Sequence, residues 1–219
     1  MPSAPGKLRD MNPRNLPIII LAAGASSRMR GRDKLLEEAN GLPLLRQQAL
    51  KACAVTGGPV LIALPAPPHP RYDALKGLEV LPFAVPDADE GMNASLRRAF
   101  AALPREAPCA MVLLGDLPDV TADDLAKVAD AVELDSGQLI WRGATQEGAA
   151  GHPIVFHRTL FPAFAQLSGD SGGREVVAQA KGRMTLVPLE GQRARRDLDT
   201  PEDWDRWRRE QDPTSRQHW

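Results

Sequence analysis

The stretch LPIIILAAGASSRMRGRDKLL, residues 16–36, joins an apolar run to a turn of small residues and then to several cations. Leu16–Leu21 predicts a buried β-strand, because it is a short, continuous apolar run rich in isoleucine. The turn at 22–27 contains only Ala, Gly and Ser, so its backbone N–H groups can approach anionic oxygens closely. Arg28 and Lys34 follow as two separated cations. The stretch therefore predicts a strand whose carboxyl end opens onto a phosphate-binding site.

The rest of the chain alternates between short β-type runs and stretches of helical periodicity. The predicted strands are Leu16–Leu21, Pro59–Leu64, Leu78–Phe83, Ala110–Leu114, Gln138–Trp141, Pro153–Phe156 and Met184–Leu189. The predicted helices are Pro43–Val55, Met92–Leu103, Ala122–Leu134, Thr159–Leu167, Gly173–Lys181 and Glu202–Glu210. Such alternation is typical of βαβ units and predicts an α/β fold, a mostly parallel central sheet flanked by helices. We expect one domain over residues 16–210, with flexible polar ends at 1–15 and 211–219.

The composition limits the classes of function that the chain can serve. Its 219 residues carry 27 Lys and Arg against 28 Asp and Glu, so the net charge of −1 gives no argument for nucleic acid or an anionic membrane as partner. No apolar run approaches the roughly 18 residues of a membrane span, and the first residues do not resemble a signal peptide. Cys53 and Cys109 are far apart and predict reduced thiols. We therefore expect a soluble cytoplasmic protein.

The glycine pattern after the first strand excludes two familiar phosphate sites. It does not read G-x-G-x-x-G, and Gly24 and Lys34 do not fit the P-loop spacing G-x-x-x-x-G-K-[ST]. A longer loop with cations at Arg28 and Lys34 suits the several anionic groups of a triphosphate. The alternative is a solvated turn, which is the interpretation we favour for Arg30 and Arg32.

Acidic residues follow two other segments that we place at the same edge of the sheet. Asp116 comes directly after the apolar run in VLLGDLPDV, and Asp197 and Asp199 lie two residues apart in RRDLDTPEDW, on one face of an extended segment. Carboxylates are ligands that Mg²⁺ prefers, so Asp116 and a second acid are candidate ligands. A turn role for Asp116 and a helix-capping role for Asp199 and Thr200 remain alternatives.

Three further segments carry polar residues in glycine-rich surroundings. EGMNASLRRAF places Gly91, Asn93 and Ser95 before a helix, where capping is the simpler interpretation. GAAGHPIVF places His152 at the start of a strand, and we favour a structural or substrate-orienting role over proton transfer. LSGDSGGREVV contains Arg174, which either meets an anionic substrate or pairs with Asp170.

Together these motifs resemble the MobA-like nucleotidyltransferases. Within that family, LAAGASSRM…DKLL is most similar to the molybdenum cofactor cytidylyltransferases, whose loop reads L-A-A-G-x-S-x-R-M-G-x-x-K-L-L. Arg30 stands where those proteins have glycine, and Gly31 follows one position later. The resemblance runs from Pro17 to Trp207 through five motifs in the same order.

The resemblance implies a Rossmann-like nucleotidyltransferase that moves CMP from CTP to the phosphate of the molybdenum-pterin cofactor and releases pyrophosphate. It implies catalytic roles for Arg28, Lys34 and Asp116, magnesium ligands at Asp116 and Asp199, and substrate contacts from His152 and Arg174. The residues that it assigns to the nucleotide are Leu21, Ala22, Ala23, Gly24, Arg28, Lys34, Gly91, Asn93, Ser95 and Asp116. It also allows a macromolecular partner, a molybdoenzyme or its delivery chaperone.

The sequence leaves alternatives open for the base of the donor nucleotide and for the activity of the protein. Ala23 favours cytidine, because the guanylyltransferase branch usually has glycine there and the methyl group narrows the room beside a purine. Guanylyl transfer from GTP is the first alternative. Cytidylyl transfer to an isoprenoid precursor and uridylyl transfer to a sugar phosphate are less favoured, because they leave the motifs G-H-P and G-D-S-G-G-R unexplained. A non-catalytic protein that binds and delivers the cofactor is the rival from another class.

Overall fold

The computed structural model describes residues 15–212, which form a seven-stranded sheet with helices on both faces. The strands are β1 (Ile18–Leu21), β2 (Glu38–Ala39), β3 (Leu42–Pro43), β4 (Val60–Leu64), β5 (Leu81–Ala84), β6 (Cys109–Leu114), β7 (Ile140–Ala144), β8 (Ala150–His157) and β9 (Met184–Pro188). The main sheet has the order β5-β4-β1-β6-β8-β7-β9, and β2 and β3 form a separate hairpin. Only β8 runs antiparallel to its neighbours among these seven strands. The predicted mostly parallel sheet is confirmed, and all seven predicted strands belong to it.

The helices occupy the predicted segments, with one addition. They are α1 (Leu44–Val55), α2 (Arg71–Ala74), α3 (Met92–Ala101), α4 (Ala122–Asp130), α5 (Phe161–Phe164), α6 (Arg174–Gln179) and α7 (Pro201–Gln211). The sequence did not predict α2, which is a single turn after a proline-rich segment. The predicted helix at 159–167 is shorter, because a 3₁₀ turn at Arg158–Leu160 precedes α5. Thr121 and Thr200 cap α4 and α7 through complete capping boxes.

Alternate side chains of β1 enter two different hydrophobic clusters. Ile18 and Ile20 pack with α1, α4 and α7 on one face, whereas Ile19 and Leu21 pack with α3, α5 and α6 on the other. All four are buried, so the strand is apolar throughout instead of alternating with polar residues. Burial on both faces explains why the opening stretch reads as an unbroken apolar run.

The strand register brings the predicted site segments to one edge of the sheet. β1 and β6 are parallel neighbours, and Leu21 pairs with Leu114, so both strands end side by side. The backbone N–H of Gly115 donates to the carbonyl oxygen of Leu21 over 3.0 Å. β8 runs the opposite way, so its first residues, including His152, lie at this same edge. The carboxyl edge therefore collects the loop after β1, Asp116 and the start of β8.

The predicted flexible ends fall outside the described residues, except for Asn15, Gln211 and Asp212. Within residues 15–212, no helix is long and apolar enough to cross a membrane. The three tryptophans for which we expected packing roles, Trp141, Trp204 and Trp207, are all buried in the core facing α1, α4 and α7.

Candidate active site

The loop after β1 presents unused backbone donors at the carboxyl edge. Within residues 15–212, the N–H groups of Ala23, Gly24 and Ala25 have no hydrogen-bond acceptor. A Cβ atom at Gly24 would meet nothing within 4 Å, so the space beside the loop is open. Such a row of free N–H groups is suited to anionic oxygens. The loop can therefore receive phosphate groups, as its small residues predicted.

The departure from the family pattern at Arg30 leaves the loop's two key cations in place. Arg30 adopts a left-handed conformation with φ of 54°, and Gly31 follows with φ of 87°. Glycine takes such angles without strain, whereas arginine does not. The Arg30 side chain points outward and pairs with Glu202, which supports its predicted solvated position. Arg28 and Lys34 both line the cleft beside the loop.

Lys34 lies between two of the predicted metal ligands. Its Nζ donates to Asp116 Oδ2 over 2.5 Å and to Asp199 Oδ1 over 2.7 Å, and Arg28 pairs with the other oxygen of Asp199 over 2.7 Å. Burial opposes the charge of Lys34, but the two carboxylates outweigh it and raise the pKa of the ammonium. Burial likewise works against the charge of Asp199, yet Lys34 and Arg28 hold the pKa of that carboxyl below its usual value. Both partners are therefore charged at neutral pH.

Three carboxylates converge closely enough to share a cation. Asp116, Asp197 and Asp199 each offer an oxygen, and these oxygens lie within 4.8 Å of one another. Burial and the neighbouring Asp199 raise the pKa of Asp197. Asp116 Oδ1 is buried and has no hydrogen-bond partner. A hard divalent cation fits this set, because it prefers carboxylate oxygens and would satisfy the buried atom.

The cleft beside these groups has a volume of about 510 Å³. Nine of the ten residues predicted to bind the nucleotide line it: Leu21, Ala22, Ala23, Gly24, Arg28, Lys34, Gly91, Ser95 and Asp116. Asp199 lines it as well. The structure thus gathers in one cavity residues that are up to 178 positions apart in the chain, between Leu21 and Asp199.

Asn93, the tenth residue, is buried and fully engaged within the protein. Its amide donates to the Ser168 carbonyl and to Ser171 Oγ, and its Oδ1 accepts from the Gly173 N–H. These bonds tie the start of α3 to the segment before α6. Gly91 lies at the same junction with φ of 109°, and a Cβ there would lie 2.6 Å from Asp170 Cβ. Asn93 therefore supports the wall of the cleft instead of lining it.

Arg71 is a cation that the sequence did not single out. The residue is 1% exposed. Its guanidinium donates to both oxygens of Asp33 over 2.8 Å, to the Ala22 carbonyl over 2.6 Å and to Ser26 Oγ over 3.0 Å. It thereby joins both ends of the loop. In the sequence, Arg71 simply follows the proline-rich segment PAPPHP, and that context gives no indication that its side chain is buried.

His152 and Arg174, the predicted substrate contacts, lie outside this cleft. His152 is half-buried at the start of β8, where burial and the nearby Arg142 lower the pKa of its imidazole to about 3. The ring is therefore neutral near pH 7 and is a weak base. Arg174 is exposed at the start of α6 and forms no ion pair with Asp170 among the described residues, because Asp170 accepts from the Met92 N–H.

This arrangement defines an enzyme of the nucleotidyltransferase class, in which a doubly wound sheet presents a loop with free backbone N–H groups beside convergent carboxylates. The chain belongs to the MobA-like NTP transferase domain family, which matches residues 18–184. Over 144 residues it is 32% identical to the molybdenum cofactor guanylyltransferase of Bordetella pertussis (strain Tohama I), a match that covers 63% of this chain and 67% of that protein.

Solved structures of one mycobacterial protein share the fold. Rv0371c from Mycobacterium tuberculosis H37Rv has 27% identity and a TM-score of 0.73, with 88% of this chain and 97% of that chain covered. A structure of Rv0371c in complex with manganese has 24% identity, the same coverage and a TM-score of 0.71. The Rossmann-like nucleotidyltransferase fold expected from the sequence is confirmed. The particular cytidylyltransferase branch stays a prediction.

Proposed function

We propose that this protein transfers CMP from CTP to the phosphate of the molybdenum-pterin cofactor, with release of pyrophosphate. The observation that supports this most directly is the convergence of the free N–H groups of the loop, Lys34 and the three carboxylates at one cleft. A binding surface for neutral ligands needs neither the cations nor the acids. The molybdenum cofactor is proposed from the resemblance of the motifs and from the curated relative.

Each charged group has a distinct task in this proposal. The free N–H groups at 23–25 bind the phosphate oxygens, and Arg28 and Lys34 neutralise the charge that accumulates on the leaving pyrophosphate. To do so, Lys34 exchanges its bonds with Asp116 and Asp199 for bonds with phosphate. The nucleophile is a phosphate oxygen that is already anionic, so no general base is needed. Catalysis then rests on positioning and on electrostatic stabilisation.

Asp116, Asp197 and Asp199 would hold a magnesium ion, which supplies further charge stabilisation at the phosphates when it is bound. The structure supports a role for both acids of the C-terminal pair, because each offers an oxygen to the same cluster. Removing Lys34 from between the carboxylates would free the oxygens that it now contacts.

The alternative of GTP as donor is favoured by the Bordetella pertussis relative, a guanylyltransferase. CTP is favoured by Ala23, which is buried but lines the cleft, because its methyl group would reduce the room for a purine. We propose CTP as the preferred donor on that steric argument. The proposal for the phosphoryl chemistry does not depend on the base.

The deciding experiment measures pyrophosphate release from CTP and from GTP, each with magnesium and molybdenum cofactor, with cofactor-free controls. We expect release from CTP that requires both magnesium and cofactor. The matched variant is Asp116→Asn, which keeps the size of the side chain and removes its charge. We expect it to lose at least about a thousandfold in rate, the size of effect that several kcal/mol of lost charge stabilisation produces.

The other outcomes each change one part of the proposal. Release from GTP alone would leave the chemistry in place and transfer the protein to the guanylyl branch. Release from neither nucleotide, with the cofactor shown to be intact, would favour a cofactor-binding and delivery protein. Full activity of Asp116→Asn would place the reaction elsewhere in the molecule.

A further inference from the structure

A second group of cations lies on the other side of Asp116 from the loop, and nothing in the cleft accounts for it. Arg142 belongs to β7, and Arg195 lies in the segment that leads to Asp197. Within residues 15–212, neither arginine forms an ion pair. Arg142 Nε donates to the Gly151 carbonyl over 2.7 Å, and its two terminal nitrogens find no acceptor there. Arg142 is thus held by a backbone carbonyl, Arg195 is exposed, and neither guanidinium has a charged partner among the described residues.

Close backbone packing brings the segments of the two arginines together. The His152 N–H donates to the Ala194 carbonyl over 2.7 Å, next to Arg195. A Cβ atom at Gly151 would collide with that same carbonyl, and one at Gly143 would lie 2.6 Å from the His152 carbonyl oxygen. The glycines thus allow three segments, carrying Arg142, His152 and Arg195, to make direct contact at the carboxyl edge.

This grouping is electrostatically unfavourable without an anion. Arg142 is half-buried, and burial together with the charge of Arg195 lowers the pKa of its guanidinium. His152, which faces Arg142, is neutral and adds no charge. Like charges near one another repel, and a partly buried cation without a carboxylate is disfavoured further. An anionic ligand would relieve both costs, and a planar guanidinium is well suited to bind phosphate.

We propose that Arg142 and Arg195, beside His152, form an anion subsite that binds the phosphate monoester of the acceptor substrate. The proposal rests on the proposed function. The sheet order supports the acceptor as occupant, because β1 with the triphosphate loop lies on one side of β6 and β8 with β7 lies on the other. A displacement at phosphorus needs the attacking and leaving oxygens on opposite sides. Asp116, directly after β6, lies between the two subsites.

An acceptor phosphate held between Arg142 and Arg195 can attack the nucleotide in a step in which all bonds and charges are accounted for. One of its oxygens forms a bond to the α-phosphorus of the nucleotide, while the bond between the α-phosphorus and the bridging oxygen breaks. Pyrophosphate leaves with that electron pair, and the acceptor phosphate, already anionic, needs to lose no proton. The two arginines offset the repulsion between the acceptor and the triphosphate as they approach.

The experiment titrates inorganic phosphate at constant ionic strength into the full chain saturated with magnesium and a non-hydrolysable CTP analogue, and follows binding by calorimetry. The variants are Arg142→Gln and Arg195→Gln. Arg195 is exposed, so its substitution does not threaten folding, and circular dichroism checks both. Arg105→Gln is the matched control, because Arg105 is exposed just before β6 at the opposite edge of the sheet. We expect affinity to fall at least tenfold in the two variants and to stay unchanged in the control.

Three results would overturn the subsite. They are wild-type protein that shows no phosphate binding, variants that bind phosphate as tightly as wild type, and loss of phosphate binding when the nucleotide analogue is present. The last result would mean that the triphosphate itself uses the two arginines. Failure of the CTP analogue to bind would count against the proposed function alone, because the difference in phosphate binding between wild type and the two arginine variants still reports on the arginine pair in the nucleotide-free protein.

Discussion

Two regions flank Asp116 at the carboxyl edge, and they differ in whether their site cations form ion pairs with carboxylates. On the loop flank, residues 21–34 with Arg71, the site cations are paired: Lys34 with Asp116 and Asp199, Arg28 with Asp199, and Arg71 with Asp33. On the β8 flank, residues 142–152 with Arg195, Arg142 and Arg195 form no ion pair among the described residues. Paired cations are held in position and must exchange partners when substrate binds, whereas unpaired cations gain a partner outright.

Among substitutions on the two flanks, the largest effect on activity should come from Lys34→Met. Loss of the ammonium removes charge stabilisation from the leaving group, so we expect pyrophosphate release to fall at least about a hundredfold. Titration of manganese without nucleotide, followed by electron paramagnetic resonance, should show tighter binding than in wild type, because Lys34 no longer occupies the carboxylates. The control is Arg32→Gln, an exposed cation of the same loop that pairs with Glu37. Unchanged turnover in Lys34→Met would contradict the role of the loop.

Arg71→Gln tests whether the ion pair between Arg71 and Asp33 on the loop flank stabilises the fold. The substitution leaves Asp33 without its buried partner, which costs about 3 kcal/mol and should lower the Tm by about 10 °C. The matched control is Lys76→Gln, whose ion pair with Asp73 is exposed on both sides and contributes little. Thermal unfolding followed by circular dichroism checks both. Equal stability of the two variants would show that Arg71 does not hold the loop.

Ala23→Gly tests the steric argument for the base. Removing the methyl group makes room beside the loop, so we expect the preference for CTP over GTP to fall by about tenfold, the effect of a single small group. The comparison is kcat/KM for each nucleotide in the two proteins. Ala25→Gly, which also lines the cleft, controls for a more flexible backbone. A variant that discriminates as sharply as wild type would mean that Ala23 does not select the base.

The smallest effect concerns His152 on the β8 flank. Its pKa is about 3 in the folded protein, below the ordinary 6.5, so only the unfolded chain takes up a proton as the pH falls below that value. The stability tied to the neutral ring is present above pH 6.5 and is lost toward pH 3. Between pH 7 and pH 4, the Tm of wild type should therefore fall further than the Tm of His152→Gln. If the Tm of the two proteins changed in parallel with pH, the result would show that the His152 ring is well solvated.

The fold could be predicted because its signals are local. Leu16–Leu21 is apolar without interruption, because β1 is buried on both faces. Thr121 and Thr200 mark the starts of their helices, because each forms a capping box with a residue three positions later. The cleft could be predicted in large part for a related reason. In a parallel sheet, polar residues that follow strands meet at one edge whatever their distance in sequence.

Other features depend on contacts that no local pattern records. Arg71 is buried against Ala22 and Asp33 because a single turn, α2, carries it over the loop. Asn93 looked like a ligand contact, but its amide is used by a segment about 75 residues later. The left-handed backbone at Arg30 shows how the loop accommodates its departure from the family pattern.

The sequence by itself determined the doubly wound sheet, the small-residue loop after β1 and the acids at the same edge, because periodicity and strand ends are properties of neighbouring residues. Only the tertiary structure decided which charges are paired. It placed Lys34 between Asp116 and Asp199, buried Arg71, and left Arg142 and Arg195 together without an acid. The physical reason is that the free energy of a charge depends on the charges and the solvent around it, and these come from segments far apart in the chain.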